Sequence, residues 1–429
     1  MGKTEYDWEI GHPATLEPHS LAKHTILRRY VEKYVGILTD NRRIPEFRLT
    51  LIDGFAGGGE YVVKGQTELH DGSPFILIDA VRAAMASLNE QERRTVIDAN
   101  FVFVEQKSSN FLYLKDALDR RLDKATRDKV IMLQGDFKAH LDKIIANIKS
   151  TSGRKPRPIF VLDQYGYSDV PIELISKIMR ELPKAEVFLT LAFGWIGAYA
   201  RGAHAQALRI KSSLGIVPHL RGFADGTREL EEIDELPLND KVAAMGYIQR
   251  LLHEGFAKQG NAQCYTPFFI TSRGSNRSYW FLHLANSARA NQVVKDLHWS
   301  EQNHFEHYGR SGLMMLGFDP ARSLDGRAQQ RFSFNTSARE QAIDALLSDL
   351  PRRIQEEFPN GVPFDELYKV VCNETPASLG MIGEAIAKSL DLESVTPKDR
   401  TRRVTEIDGT DIVRLKKQLS LYSIPSIKK

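Results

Sequence analysis

Apolar residues in the first half of the chain fall into two alternating patterns. Leu21, Ile26, Leu27, Tyr30, Val31, Tyr34 and Leu38 recur at helical spacing and predict a helix over residues 17–40. Short, nearly continuous apolar runs follow at Phe47–Asp53, Ala99–Glu105, Val130–Gln134, Pro158–Asp163 and Ala185–Phe193. Helical periodicity separates them over 73–95, 107–125, 137–149 and 170–182. Strands alternating with helices predict parallel βαβ units with right-handed crossovers. The unbroken apolar character of the runs fits a sheet covered on both faces.

The pattern then loosens. Residues 200–262 read as a helical insertion, with helices near 202–213 and 239–259. Tyr265–Ser272 and Ser278–Leu284, joined by Arg273–Arg277, read as a hairpin closing the sheet edge. Residues 286–299 are helical, and the Gly-, Ser- and Arg-rich stretch 300–335 reads as a loop-rich connection. Helices over 337–356, 363–372 and 377–390, then strand-like Arg403–Ile407 and Ile412–Leu415, predict a winged-helix-like α+β unit. The expected organisation is an α/β domain over 1–300, a linker over 301–335 and the winged helix over 336–429.

Length adds to this that 429 residues exceed one ordinary core. Apolar content of 42% and charged content of 26% are those of a soluble globular protein. No apolar run is long enough for a bilayer, and the polar start Met1–Trp8 has no signal-peptide character, so the expected location is cytoplasmic. Two distant cysteines, Cys264 and Cys372, exclude a cysteine-built zinc site. The net charge of +3 does not announce a nucleic-acid binder. Charge is uneven, however. Residues 396–429 hold nine Lys/Arg, among them Lys398, Arg400, Arg402 and Arg403, and this is either a solvated face or a functional patch.

Candidate chemistry gathers where the strands end. The first runs into Asp53-Gly54-Phe55-Ala56-Gly57-Gly58-Gly59, a turn without side chains that lets backbone approach a ligand. It matches neither G-x-G-x-x-G nor G-x-x-x-x-G-K-[ST], so a dinucleotide fold and a P-loop are disfavoured. The second strand ends in Glu105, suited to accepting from two ribose hydroxyls or standing as an ordinary strand-end carboxylate. The third ends in Gly135-Asp136-Phe137. Asp136 either accepts from an adenine amino group, with Phe137 on the ring, or caps the next helix. The fourth ends in Asp163-Gln164-Tyr165-Gly166. Four such endings along one sheet edge favour a nucleoside-bearing cofactor.

These motifs resemble class I S-adenosylmethionine-dependent methyltransferases, whose fold is a Rossmann-like doubly wound sheet. Lys23-His24-Thr25 before the Asp53–Gly59 turn resembles the 23S rRNA adenine-N6 methyltransferases. Ile52–Tyr61, Gly72-Ser73-Pro74, Ser278–Leu282 and Val294–Trp299 resemble the three-Cys-motif partner family over most of residues 12–300. The resemblance implies that Lys23, Asp53, Gly54, Phe55, Ala56, Gly57, Gly59, Glu105, Asp136, Phe137 and Asp163 contact S-adenosylmethionine. Lys23 would reach the methionine carboxylate.

Amino-methyltransferases carry [D/N/S]-P-P-[Y/F/W] after the fourth strand, which holds the target amine and stacks on a flipped base. Asp163 keeps the acid and Tyr165 supplies an aromatic one position early, so the implied catalytic residues are these two, without the prolines. The implied function is methyl transfer to nucleic acid, possible at a base amino nitrogen. The missing prolines point alternatively to a module dependent on a three-cysteine radical-SAM-like partner, and the C-terminal unit to a winged-helix nucleic-acid binder. The helix at Pro376–Leu390 is poor in Lys/Arg, whereas Lys398–Arg403 suits phosphate. No metal site is expected.

Overall fold

In the computed structural model, the residues described are 7–9, 11–16, 18–40, 45–63, 67–91, 95–151, 156–164, 169–191, 256, 259–271, 278–301, 306–308, 311–313, 331–397 and 407–416. The insertion expected at 200–262, Tyr165, the hairpin turn at 273–277 and Lys398–Arg403 lie outside these residues, apart from the few near the insertion's end.

The sheet is built from β2 (Glu46–Asp53), β5 (Val96–Glu105), β6 (Val130–Gln134), β7 (Pro158–Leu162), β8 (Glu186–Leu191), β9 (Cys264–Thr271) and β10 (Ser278–Ala285). Their spatial order is β6-β5-β2-β7-β8-β10-β9. The first five run parallel, and β10 is antiparallel to both β8 and β9. This order and these directions define the Rossmann-like doubly wound sheet of the class I methyltransferase type. The central strands are buried on both faces, as their unbroken apolar runs require; β7 and β8 have no exposed position. Each buried Ile, Val or Phe there contributes roughly 1.5–3 kcal/mol of transfer free energy.

Helices α1 (Pro18–Thr39), α2 (Ser73–Glu90), α3 (Ser108–Arg121), α4 (Lys124–Arg127), α5 (Phe137–Thr151), α6 (Ile172–Glu181) and α7 (Ala288–Glu301) surround the sheet. α1 packs against α2 and α7, and α5 against α6. The chain grows from β2 toward β5 and β6, then returns to β7 and β8. The order therefore reverses between β2 and β7, which leaves a crevice at their carboxyl ends. At the start of β8 the buried Glu186 accepts from the Tyr30 hydroxyl of α1 and lies 2.9 Å from His283 Nε2 of β10. This polar tie fixes α1 on the sheet.

Three short strands went unforeseen. β1 (Ala14–Leu16), β3 (Glu60–Val63) and β4 (Leu69–Asp71) form a small sheet in the order β1-β3-β4, directly after the glycine turn. Glu60 anchors it: its buried carboxylate receives Tyr113, Arg120 and Arg121 of α3. A carboxylate this buried is tolerated because several donors replace its water. The connection expected at 300–335 likewise contains paired strands, β11 (Glu306–Tyr308) and β12 (Arg331–Ser333). The chain separates into two compact units, one of residues 1–309 and 316–335, the other of 310–315 and 336–429.

The second unit runs α8 (Thr336–Glu357), β13 (Val362–Pro363), α9 (Phe364–Val371), α10 (Leu379–Lys388), β14 (Leu392–Val395) and β15 (Ile412–Leu415). Its sheet order is β13-β15-β14, and α8 packs on α10. This is the winged-helix order of helices and strands. β15 pairs with Leu392–Val395, while the strand expected at Arg403–Ile407 lies, apart from Ile407, outside the described residues. Leu392 and Val395 are buried at the two ends of that strand, a spacing that reads as the tail of a helix in sequence. No helix among the described residues is long and apolar enough to cross a membrane.

Candidate functional site

The parallel register aligns the strand ends. Asp53 lies opposite Phe103 of β5 and Val161 of β7, and Glu105 opposite Gln134 of β6. Asp53 and Asp163 therefore flank the point where strand order reverses. Asp53 is fully buried, and its Oδ1 accepts from the Phe55 N–H at 3.0 Å. Its Oδ2 is buried as well, with the Ser73 hydroxyl as the side-chain donor that interacts with the carboxyl. Burial pushes the Asp53 carboxyl up to about 7.

Glu105 is buried too. Its Oε2 accepts from Gly57 N at 2.9 Å, and its Oε1 from Lys107 N at 2.8 Å and Asn110 Nδ2 at 3.3 Å. Burial raises its carboxyl, and the backbone donors only partly oppose this. One strand-end carboxylate thus ties the glycine turn to the loop after β5.

The glycines of the turn have two separate causes. Gly57 and Gly59 hold left-handed backbone, with φ of 58° and 80°. The turn is also walled by the protein's own side chains. A Cβ on Gly54 would lie 2.7 Å from Leu162 and 3.0 Å from Phe137, and one on Gly58 would lie 2.4 Å from Trp8. Ala56 is buried in the turn, and Phe55 is half-buried beside Phe137.

Lys23 does not stand alone as a cation awaiting a ligand. Its ammonium donates to both oxygens of Asp163, at 2.7 and 2.6 Å. Burial alone would raise the Asp163 carboxyl, but the Lys23 charge and its hydrogen bonds hold it below the usual carboxylate range. Lys23, His24, Ser73, Asp163 and Thr190 line one small hollow over an apolar floor that includes Phe188 and Phe281. Burial lowers His24 to about 4, so its imidazole is neutral at physiological pH. His24 Nδ1 and Gln164 Nε2 are buried without hydrogen-bond partners, whereas the Thr190 hydroxyl interacts with the Asp163 carboxylate and the Ser73 hydroxyl with that of Asp53. Buried polar atoms are ordinarily satisfied, so the unpaired His24 Nδ1 stands out in the lining of this hollow. A wider surface furrow between α1 and α2, lined by Glu32, Lys33, Ala83 and Ser87, lies toward the far ends of those helices.

Asp136 and Phe137 stand apart from this hollow. Asp136 is exposed and accepts from Lys138 N at 2.7 Å, the geometry of a helix cap. Phe137 is buried against Gly54, Phe55 and Phe160. Sequence reasoning passed over Thr190, Ser73 and Trp8 as site residues. Thr190 is legible only as the one hydroxyl within the apolar run of β8, and Ser73 as the residue before a proline at the first turn of α2. Trp8 is legible only as a tryptophan in a polar stretch.

Residues 317–402 match the profile of the GMT-like wHTH domain. Solved structures resembling the chain include the METTL16 methyltransferase domain, at 10% identity and a TM-score of 0.26 over 60% of this chain and 66% of that one. The N-terminal domain of human METTL16 in complex with SAH has 11% identity and a TM-score of 0.28, covering 60% of this chain and 68% of that one. Precorrin-6y C5,15-methyltransferase from Geobacter metallireducens GS-15 has 10% identity and a TM-score of 0.26, covering 59% and 88%. The chain spans just under two thirds of the first of these. At such values the likeness concerns fold alone, and the fold assignment rests on the strand order itself. Among curated proteins, none matches the chain in sequence.

Proposed function

We propose that this chain is a cytoplasmic S-adenosylmethionine-dependent methyltransferase acting on nucleic acid. The observation that carries the reading is the fully buried Asp53 carboxyl at the switch point of a class I-type sheet, beside the glycine turn. A carboxylate this buried, with only Phe55 N–H and the Ser73 hydroxyl as donors, fits a further ammonium or hydroxyl donor on a ligand. In this reading Lys23, Asp53, Gly54, Phe55, Ala56, Gly57, Gly59, Glu105, Asp136, Phe137 and Asp163 hold the cofactor, which supplies an activated methyl group. Asp53 and Glu105 supply acceptors for its amino and hydroxyl groups.

Asp163 and Tyr165 receive the target. The ionised Asp163 accepts a hydrogen bond from the target amine, with Lys23 fixing the carboxylate's orientation, and positioning supplies much of the rate. The neutral His24 stands beside Asp163 as a further acceptor. The profile match over residues 317–402 supports a nucleic-acid substrate, with residues 336–429 as the binding unit and 301–335 as the link from the catalytic domain 1–300.

The test has two stages. Calorimetry with S-adenosylmethionine should show binding that Asp53→Ala abolishes. Labelled methyl transfer to DNA, rRNA or tRNA pools should depend on Asp163; transfer undiminished in Asp163→Ala would remove it from the chemistry. A second reading makes the chain a module that needs a three-cysteine radical-SAM-like protein. The engagement of both Asp163 oxygens by Lys23 favours it, since fewer lone pairs face a substrate. Methyl transfer by the purified chain alone would dismiss it.

A further inference from the structure

Trp8 touches the cofactor-side turn from outside any motif. Its ring seats directly on the glycines: a Cβ on Gly58 would stand 2.4–2.6 Å from three indole atoms, and one on Gly57 2.8 Å from the ring. The indole N–H donates to the Glu60 carbonyl at 2.6 Å, and the ring meets Tyr61 edge-on at 5.0 Å. Trp8 N donates to Asn110 Oδ1 at 3.3 Å, and the other end of that amide donates to Glu105 Oε1. Next to it, Asp7 pairs with Lys107, whose own N–H donates to Glu105. Residues 7 and 8 therefore bridge the glycine turn and the loop after β5. Only 2% of Trp8 is exposed, although it sits in a polar N-terminal stretch.

We propose that Trp8 is a positioning residue for the cofactor site, a clamp that holds the Gly57-Gly58 backbone and the Glu105 carboxylate in their ligand-ready arrangement. The inference rests on the cofactor reading above. The physical argument is preorganisation. A glycine-rich turn has the largest conformational freedom to lose on binding. A rigid aromatic already seated on it removes that loss before the ligand arrives. Glu105 gains in the same way, because Asn110, which donates to its carboxylate, accepts from the Trp8 N–H as well as from Ser109 Oγ. Trp8 touches no ligand in this role.

Gly58 offers a way to displace the ring without removing it. Its φ is not positive, so Gly58→Ala carries no left-handed strain and acts through collision with the indole.

The test measures the S-adenosylhomocysteine Kd by calorimetry, with thermal unfolding and amide exchange of residues 54–60, in the full chain and in W8A, W8F and G58A. The expectation is about tenfold weaker binding in W8A and G58A and about threefold or less in W8F, which keeps a ring on the glycines. Exchange across the turn should quicken in W8A and G58A, while α5 and α6 stay protected. Unchanged affinity and turn exchange in folded W8A would overturn the clamp. Tighter binding by W8A would overturn it as well, by showing that the ring excludes the ligand. Affinity lost only in proportion to lost melting temperature, equally in W8F, would reduce Trp8 to a core residue. If the unaltered chain fails to bind S-adenosylhomocysteine, the cofactor reading itself falls, and the exchange data alone then show whether Trp8 holds the turn.

Discussion

Lys23 on the first helix donates to both carboxylate oxygens of Asp163, 140 residues later in the chain. The pair joins α1 to the end of β7 across the mouth of the crevice, with Lys23 buried and Asp163 about a third exposed. Lys23→Met should lower stability at pH 7 by about 2 kcal/mol, since it leaves the Asp163 charge partly buried without its partner. The effect has a defined pH dependence. The folded Asp163 carboxyl lies below its unfolded value of about 3.9, so the pair's contribution is present above that pH and disappears as pH falls through the folded value. Urea denaturation of the unaltered chain and Lys23→Met should therefore converge once the pH has fallen through the folded Asp163 value. A difference that persists unchanged there would assign the loss to packing.

Asp53 has the opposite sign. Burial lifts its folded carboxyl to about 7, against about 3.9 unfolded, so the folded state binds the extra proton between these values. Stability attributable to this group falls as pH rises from about 4 to 7, by on the order of 4 kcal/mol in all. Asp53→Asn should stabilise the free protein at pH 8 while weakening S-adenosylhomocysteine binding. A ligand ammonium favours the ionised carboxyl, so binding below pH 7 should also release a proton. Calorimetry in buffers of different ionisation enthalpy reads that proton directly, and an Asn variant that releases as much would exclude Asp53 as its source.

The turn itself separates backbone strain from packing. Gly59 holds φ of 80°, and an added Cβ would lie 2.7 Å from Leu114. Gly59→Ala should cost at least about 1–3 kcal/mol from the backbone alone. Paired with Leu114→Ala it should recover the steric part and keep the strain. Full recovery in the double variant, by chemical denaturation, would show that φ contributes nothing.

Much of the α/β domain was legible because a doubly covered parallel strand must be apolar throughout. β7 and β8 announce themselves that way, and the acids that end β2 and β5 and follow β7 mark the edge. The small β1-β3-β4 sheet was not legible, because Glu60, Tyr61, Leu69 and His70 are held by turn geometry and by the arginines of α3 rather than by apolar alternation. The pairing of Lys23 with Asp163 was equally hidden. Spacing places a lysine on a helix face, but only the tertiary fold chooses between a ligand and an internal carboxylate. Asp136 shows the same limit, since a cap and an adenine acceptor look alike as a strand-end Asp.

The winged-helix unit makes the last distinction. α10 buries Met381, Ile382, Gly383, Ala385 and Ile386, and Glu384 is engaged by both Arg339 and Lys388. Its exposed positions reduce to Gly380, Ala387 and Lys388, which offer almost nothing to a base edge. Nucleic-acid affinity should therefore come from Lys398, Arg400, Arg402 and Arg403, through phosphate. Replacing any of these four by Ala should weaken binding to a labelled RNA or DNA duplex and lower the salt slope by about 0.7–0.9 per lost contact. Lys388→Ala should leave both unchanged, because its charge is already committed to Glu384. Fluorescence anisotropy across a salt series gives both quantities. A flat response to the four substitutions with a large loss in Lys388→Ala would return α10 to the role of reading helix.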